Sequence, residues 1–193
     1  MNRHWLRVFA VLSLAAGLSA CVVSKDALFD PKDAVTPISP GRFEVEDYDF
    51  KTDSWGAKKK AATLELRDRR YVLVSKQDNA ADEIQEFNLF DIGGGFLVAA
   101  MFMEKGYEEE RGPEYYYELL QKNGDEILNY SVRCENLVHI RLPVADRPTV
   151  EGAKDADETN RYCKFSSRDK LIAALLAYAK VMLPTVRYKP VKG

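Results

Sequence analysis

The stretch that decides the fold reads Phe96-Leu97-Val98-Ala99-Ala100-Met101-Phe102-Met103 and contains no polar side chain. A run of this length is too short to cross a bilayer, which takes about 20 apolar residues in a helix. A short, wholly apolar run is typical of a strand that is covered on both faces. We therefore expect Phe96–Met103 to be the most buried strand of a domain built on a sheet.

Alternating apolar and polar residues around this run predict further strands. Leu64 and Leu66 flank Glu65, for example, and the same alternation recurs at 138–142. A period of two is typical of a strand with one buried face. The sequence predicts eight strands, at residues 42–48, 62–67, 71–75, 84–90, 96–103, 114–121, 126–132 and 137–142.

The two halves of this region resemble each other weakly. The Gly-x-Phe-x-Val pattern of 41–45 recurs at 94–98, an offset of 53 residues. A duplication would predict four strands plus four, related by an approximate twofold axis; chance similarity between alternating strands is the other explanation. Such an arrangement closes most simply into a barrel. The predicted fold class is mainly β: antiparallel strands that form a small barrel or a strongly curved sheet.

One helix is predicted near the carboxyl terminus, at 167–183. Ser166-Ser167-Arg168-Asp169 has the form of a capping box, apolar residues follow at helical spacing, and Pro184 stops the helix. We expect this amphipathic helix to pack on the sheet within a single domain of residues 41–193. The alternative is an exposed helix that binds a partner.

The chain begins with the pattern of a secretory signal peptide. Arg3 and Arg7 precede an apolar run at 8–18 that ends in small residues. Leu18-Ser19-Ala20-Cys21 resembles the lipobox of bacterial lipoproteins. This resemblance implies that residues 1–20 are cleaved and that Cys21 carries diacylglycerol and an N-acyl chain. The membrane would then be a partner through a permanent anchor.

The same resemblance implies a location. In that family an Asp after the lipidated cysteine marks the inner membrane, so Val22 favours the outer membrane, facing the periplasm. Residues 21–40 contain Pro31, Pro37 and Pro40, which predicts a tether that holds the domain about 25 Å from the bilayer. The alternative is that apolar residues of this segment dock on the domain.

The charge balance argues against nucleic acid as a partner. The chain has 28 basic and 30 acidic residues, a net charge of −2 at pH 7. Loss of Arg3 and Arg7 with the signal would change the net charge to −4. A negatively charged domain without a basic cluster is not attracted to phosphates.

Two cysteines remain when Cys21 is assigned to lipid. Cys134 and Cys163 would meet an oxidising compartment after export, so we predict a disulfide between them. A redox-active thiol pair is the alternative, but the two are far apart in the sequence rather than in a Cys-x-x-Cys motif.

Catalytic and metal-binding patterns are weak. His139 is the only histidine beyond the predicted signal peptide, and alternation places it on an outward face, so we predict neither a catalytic residue nor a metal or cofactor. Gly93-Gly94-Gly95 leads into a strand rather than a helix, which favours a bend over a phosphate loop. Tyrosines and acids predict one interaction patch, because tyrosine is enriched in interfaces. The patch consists of Tyr107, Glu108, Glu109, Glu110, Tyr115, Tyr116 and Tyr117.

Two functions follow from these observations. The first is a non-enzymatic binding or interaction module of the cell envelope that uses this patch to contact an envelope protein; the tyrosines as mere cross-strand pairs are the structural alternative. The second is a lipocalin-like carrier of a small apolar ligand, which needs a cavity of about 300 Å³. A hydrolase that uses only carboxylates is a third hypothesis.

Overall fold

The structure is a computed structural model that describes residues 22–56, 60–76, 81–103, 114–151 and 162–192. The strands within these residues are β1 (Val22–Ser24), β2 (Gly41–Asp49), β3 (Ser54–Trp55), β4 (Lys60–Arg67), β5 (Arg70–Ser75), β6 (Glu83–Gly93), β7 (Phe96–Met103), β8 (Glu114–Asn123), β9 (Glu126–Asn129), β10 (Thr149–Glu151), β11 (Tyr162–Lys164) and β12 (Val186–Pro190). The helices are α1 (Cys134–Leu137) and α2 (Arg168–Ala179).

Eight strands close into an antiparallel barrel. Their order around the ring is β2, β4, β5, β6, β7, β8, β9 and β12, and β12 pairs with β2 to complete it. Closure of the ring leaves these strands without a free edge. The predicted fold class, a mainly β small barrel with a helix packed on it, is confirmed.

The apolar run Phe96–Met103 is β7, but it is not the most buried strand. Its last residues, Phe102 and Met103, are 52% and 40% exposed. Four of its eight residues are buried, the same fraction as five of ten in β8, whereas all three residues of β1 are buried. Covering layers therefore decide burial here, more than the composition of the strand itself.

The eighth strand of the barrel is not the predicted one. Residues 137–142 were predicted as a strand, but helix α1 and a turn occupy this region, and Val138 N–H donates to Cys134 O at 3.0 Å. Leu137 and Leu142 are both buried in the same core, which an alternating strand could not achieve. β12 takes the vacant place in the ring, so the last strand of the second half does not come from the segment that a duplication would predict.

A second layer covers the outer face of β6, β7 and β8. It consists of α2, α1 and the strands β10 and β11, which continue from β8 through β1, because β1 pairs with β8 at Val23–Tyr116 and with β11 at Val22–Cys163. We call the residues between this layer and the barrel the outer core. Its buried members are Val22, Phe29, Ala34, Phe90, Val98, Tyr117, Leu119, Tyr130, Val132, Cys134, Leu137, Leu142, Cys163, Phe165, Leu171, Ala174, Leu175 and Tyr178.

Helix α2 begins as predicted and ends early. The Ser167 side chain caps it by accepting from Lys170 N–H, but the helix ends at Ala179 rather than at 183. The chain turns there because Met182 N–H donates to Tyr178 O at 2.9 Å. The turn allows β12 to enter the barrel. No helix in the described part of the chain is long and apolar enough to cross a membrane.

The segment 22–40, predicted as a tether, lies on the domain instead. Val22 is fully buried and pairs with Cys163 across β1 and β11. Phe29 stacks on Phe90 with ring centroids 4.6 Å apart. Burial of these apolar side chains outweighs the polar composition of the segment. The docked alternative is therefore the one that the structure contains.

Candidate functional site

The inside of the barrel, here called the lumen, is lined by apolar side chains and retains a cavity. Its volume is about 40 Å³, which is room for about three water molecules. The cavity wall comprises Ile38, Phe43, Leu64, Leu73, Gln85, Phe87, Ala99, Met101, Glu118, Leu120, Ile127, Asn129 and Tyr188. Among these described residues Glu118 is the only one with a charged side chain.

The lumen is closed at one end by the chain itself. Ile38 lies between the barrel strands, where its N–H donates to the Tyr71 hydroxyl at 3.1 Å and its C=O accepts from that hydroxyl at 2.8 Å. This is the end where the tight turns follow β4, β6 and β8. A glycine turn joins β6 to β7, and the positive φ angles of Gly93 and Gly94, 88° and 65°, confirm the predicted bend.

The other end, here called the upper rim, is formed by the strand ends at Asp49, Glu83, Met103 and Glu114. The connections that follow β5 and β7 at this rim contain residues 77–80 and 104–113, which lie outside the described residues. Glu118, Gln85 and Tyr188 in the lumen are only partly buried. Solvent therefore has access to the polar side of the cavity.

A polar cluster lies among the apolar wall residues. Asn129 Nδ2 donates to Glu118 Oε2 at 2.8 Å, which joins β9 to β8 through their side chains. Gln85 Nε2 donates to Glu83 Oε1 at 2.8 Å on β6. Strand alternation brings these groups together, because residues two apart on a strand share a face. The lumen thus combines an apolar wall with convergent polar groups, as small-molecule sites do.

The surroundings of Glu118 disfavour its charged form. Burial raises the pKa of Glu118; the hydrogen bond from Asn129 opposes this, and the negative charge of Glu83 adds to it. Burial, followed by the charge of Glu118, likewise raises the pKa of the Tyr188 hydroxyl. A carboxyl group in such a place binds a hydrogen-bonding or positively charged group more strongly than a surface carboxylate does.

Two residues of the predicted tyrosine patch are buried. Tyr116 faces the lumen and Tyr117 the outer core, at 4% and 1% exposure, so neither is available to a partner. The Tyr117 hydroxyl is hydrogen-bonded to Ser24 Oγ at 2.8 Å and to Leu28 N–H at 3.1 Å. Tyr116 and Tyr117 lie on opposite faces of β8, and the segment 22–40 buries the outward face as well.

The remaining patch residues divide into two groups. Tyr115 is partly buried, and its ring lies 5.2 Å from that of Phe102. Tyr107 and Glu108 to Glu110 lie outside the described residues. A cross-strand pair of Tyr115 and Phe102 on the outer wall of the barrel is what the described residues retain of the patch.

The predicted cysteine pair is confirmed and lies away from the lumen. Cys134 and Cys163 form a disulfide with sulfur atoms 2.12 Å apart, inside the outer core. It joins α1 to β11, which explains why this part of the chain follows the core rather than its alternating sequence. Cys21, the predicted lipid attachment site, lies outside the described residues.

An open groove runs beside α1, with a volume of about 330 Å³. His139 and Arg141 line it and are exposed, as predicted for His139. Among the described residues no group of three or more His, Cys, Asp or Glu side chains could hold a metal ion.

Glu118 was not a predicted site residue. Its signal is nonetheless present in the sequence, because Tyr116, Glu118 and Leu120 occupy one face of β8 and place a charge in an otherwise apolar row. No protein-family model, curated protein or solved structure matches this chain.

Proposed function

We propose that this chain is a lipid-anchored, non-enzymatic binding module of the cell envelope, and that the lumen of its barrel is the binding site. The observation that carries the proposal is the Glu118–Asn129 pair, which meets an apolar cavity that solvent can reach. Convergent polar groups in an apolar cavity with a perturbed pKa are the usual features of a small-molecule site. A closed barrel supplies the rigid frame.

The size of the cavity limits the size of the ligand. A cavity of about 40 Å³ takes a few non-hydrogen atoms, whereas pockets for drug-sized ligands measure about 300 Å³ or more. A barrel is compatible with a lipocalin-like carrier, but this lumen has no room for a bulky apolar molecule. The ligand we propose is small, or presents a slender part to the lumen.

The binding test uses the full chain in mild detergent and a set of ligands with about six non-hydrogen atoms or fewer. Ligand-observed NMR should detect binding to the native chain. Ala99→Leu places extra methyl groups in the cavity and should abolish binding. Ala61→Leu, the same change at an exposed position on the other face of β4, is the matched control and should bind normally. Binding that survives Ala99→Leu would refute a site in the lumen.

We place the module at the outer membrane, facing the periplasm, with residues 1–20 removed and Cys21 lipidated. The lipobox resemblance supports this location. Because Val22 is fully buried in β1, an anchor on the preceding residue would hold the domain directly at the bilayer rather than on a long tether. Cys21→Ser should release a folded domain from the membrane fraction, and continued pelleting with membranes would refute the anchor.

Binding of an envelope protein is the second candidate function. It is favoured by the exposed Phe102 ring, which packs against Tyr115 on the outer wall. Cross-linking to envelope proteins should then decrease in Phe102→Ala and remain normal in Ala99→Leu. The opposite pattern would place the function in the lumen alone.

A further inference from the structure

We propose that the ligand of the lumen is a linear aliphatic ammonium ion, a mono- or diamine, with Glu118 as its counter-ion. This inference rests on the proposed binding site in the lumen and names the class of its ligand. Three features carry it: the charge of the lumen, the shape of the cavity and a second carboxyl group on the same strand.

The described residues that line the cavity include one acidic side chain and no basic one. The groups in the described chain that act on the Glu118 carboxyl are Asn129 and Glu83, and neither is a cation. On the outside of the barrel, by contrast, the Glu65 carboxylate forms an ion pair with the Arg67 guanidinium at 2.6 Å. A cation that enters from solvent would form an ion pair with the Glu118 carboxylate, as Arg67 does with Glu65 on the surface.

The shape of the cavity selects an unbranched organic cation. About 40 Å³ holds an ammonium group and about two methylenes, on the basis of about one water-sized group for each 10–15 Å³. Leu64, Phe87 and Leu120 in the wall offer apolar contacts to methylenes. Among the described residues no group of three or more His, Cys, Asp or Glu side chains could hold a metal ion instead. A branched or aromatic amine is too wide for this space.

Glu114 is a second buried carboxyl group on β8. It lies nearer the upper rim than Glu118, outside the residues that line the cavity and beyond the buried Tyr116. It is 5% exposed, and its Oε2 atom has no hydrogen-bond partner among the described residues. Glu114 and Glu118 are separated by an even number of residues on β8, so their side chains lie on the same face of the strand. Their Cα atoms are about 13 Å apart, at about 3.3 Å per residue. A buried carboxyl oxygen without a partner is costly. The second ammonium group of a diamine would satisfy it.

The experiment measures binding to the full chain in mild detergent by isothermal titration calorimetry at neutral pH. The probes are 1,4-diaminobutane, 1-aminobutane, the neutral 1-butanol and the branched tert-butylamine. The linear probes are longer than the cavity, so each enters it by one end and directs its remaining methylenes towards the upper rim. We expect 1,4-diaminobutane to bind more tightly than 1-aminobutane, and 1-aminobutane more tightly than 1-butanol. The branched tert-butylamine should not bind. Glu118→Gln should weaken both linear amines at least tenfold. Glu114→Gln should weaken the diamine alone.

Controls separate this inference from the proposed function. Ala99→Leu should abolish amine binding, and circular dichroism should show that each variant remains folded. If 1-butanol binds in the lumen, is blocked by Ala99→Leu and is preferred to both amines, the lumen site stands and the cationic ligand is refuted. Amine binding that is unchanged in Glu118→Gln refutes the counter-ion. Absence of binding by all four probes refutes this ligand class, and a wider ligand screen that also fails refutes the lumen site.

Discussion

Leu119 and Leu120 are neighbours on β8, yet their side chains enter two different cores. Leu119 is fully buried in the outer core, and Leu120 lines the lumen cavity at 6% exposure. The outer core contains a disulfide, and the Tyr117 hydroxyl within it has two hydrogen-bond partners. The lumen contains a cavity and a carboxyl group that burial disfavours in its charged form.

This difference separates stability from binding. A fully packed core with satisfied polar groups stabilises a fold, whereas a cavity with a partly satisfied carboxyl group costs stability and is retained where a ligand uses it. We therefore expect changes in the outer core to lower the free energy of unfolding most. Changes in the lumen should alter ligand binding at a smaller cost in stability.

The largest effect is expected from the disulfide in the outer core. Cys134→Ala with Cys163→Ala opens a link across a sequence separation of 29 residues. The free energy of unfolding should fall by about 3 to 4 kcal/mol in the chain-entropy description, as measured by urea denaturation. Ligand binding by the folded variant should be unchanged. A loss below about 1 kcal/mol would mean that packing alone holds the outer core.

The next effect compares the two leucines directly. Leu119→Ala should cost about 3 to 4 kcal/mol, because it creates a new cavity in a closed core. Leu120→Ala should cost about 1 kcal/mol less, because its side chain already borders empty space. The urea concentration at the midpoint of unfolding, measured for both variants, compares the two costs directly. Equal costs, or the reverse order, would contradict the distinction between the cores.

The same comparison shows what the sequence can predict. Local patterns identify β2 and β4 to β9, an unbroken apolar run for β7 and mostly alternation for the others, because such patterns depend only on successive residues. It cannot identify β12, a short strand that ends at Pro190, because its place in the ring is decided by pairing with β2 and β9. At 137–142 the alternation predicts a strand, but a helix and a turn form because the disulfide at Cys134 and the burial of Leu142 favour them.

The candidate site could be predicted only in part. The sequence places Glu118 in an apolar row, but that row does not say whether it faces a lumen or a covering layer. For Tyr117 the covering layer is the segment 22–40, which hydrogen-bonds the tyrosine hydroxyl from Ser24 and Leu28. Such a layer depends on contacts between residues far apart in the chain. No local pattern contains that information.

A third prediction concerns pH and the lumen carboxyl group. Because burial raises the pKa of Glu118 in the folded chain, stability is greatest below the ordinary glutamate pKa and falls as pH rises through the raised value. Glu118→Gln should remove this decline and be more stable than the native chain at pH 8 by about 1 to 2 kcal/mol. Urea unfolding at pH 4 and pH 8 measures the difference.

Glu46 on the outer wall is the control of opposite sign. Burial raises the pKa of Glu46, but the hydrogen bonds and charges of Arg187 and Lys189 outweigh it, so the pKa lies below the ordinary value. Its contribution is present above the ordinary pKa and is lost as pH falls through the lowered one. Glu46→Gln should therefore destabilise at pH 8 and have little effect in acid. Similar pH profiles for the two variants would show that neither site behaves as the structure indicates.

The smallest effect compares two buried tyrosine hydroxyls. Tyr71→Phe and Tyr117→Phe each remove a hydroxyl with two hydrogen-bond partners and should each cost about 1 kcal/mol of stability. Their effects on binding should differ, because Tyr71 holds Ile38, which lines the lumen cavity, whereas Tyr117 holds Leu28 on the outer face. Titration of 1-aminobutane should show weaker binding in Tyr71→Phe alone. If Tyr117→Phe weakened binding as much, the two cores would be coupled through β8 and could not be assigned separate roles.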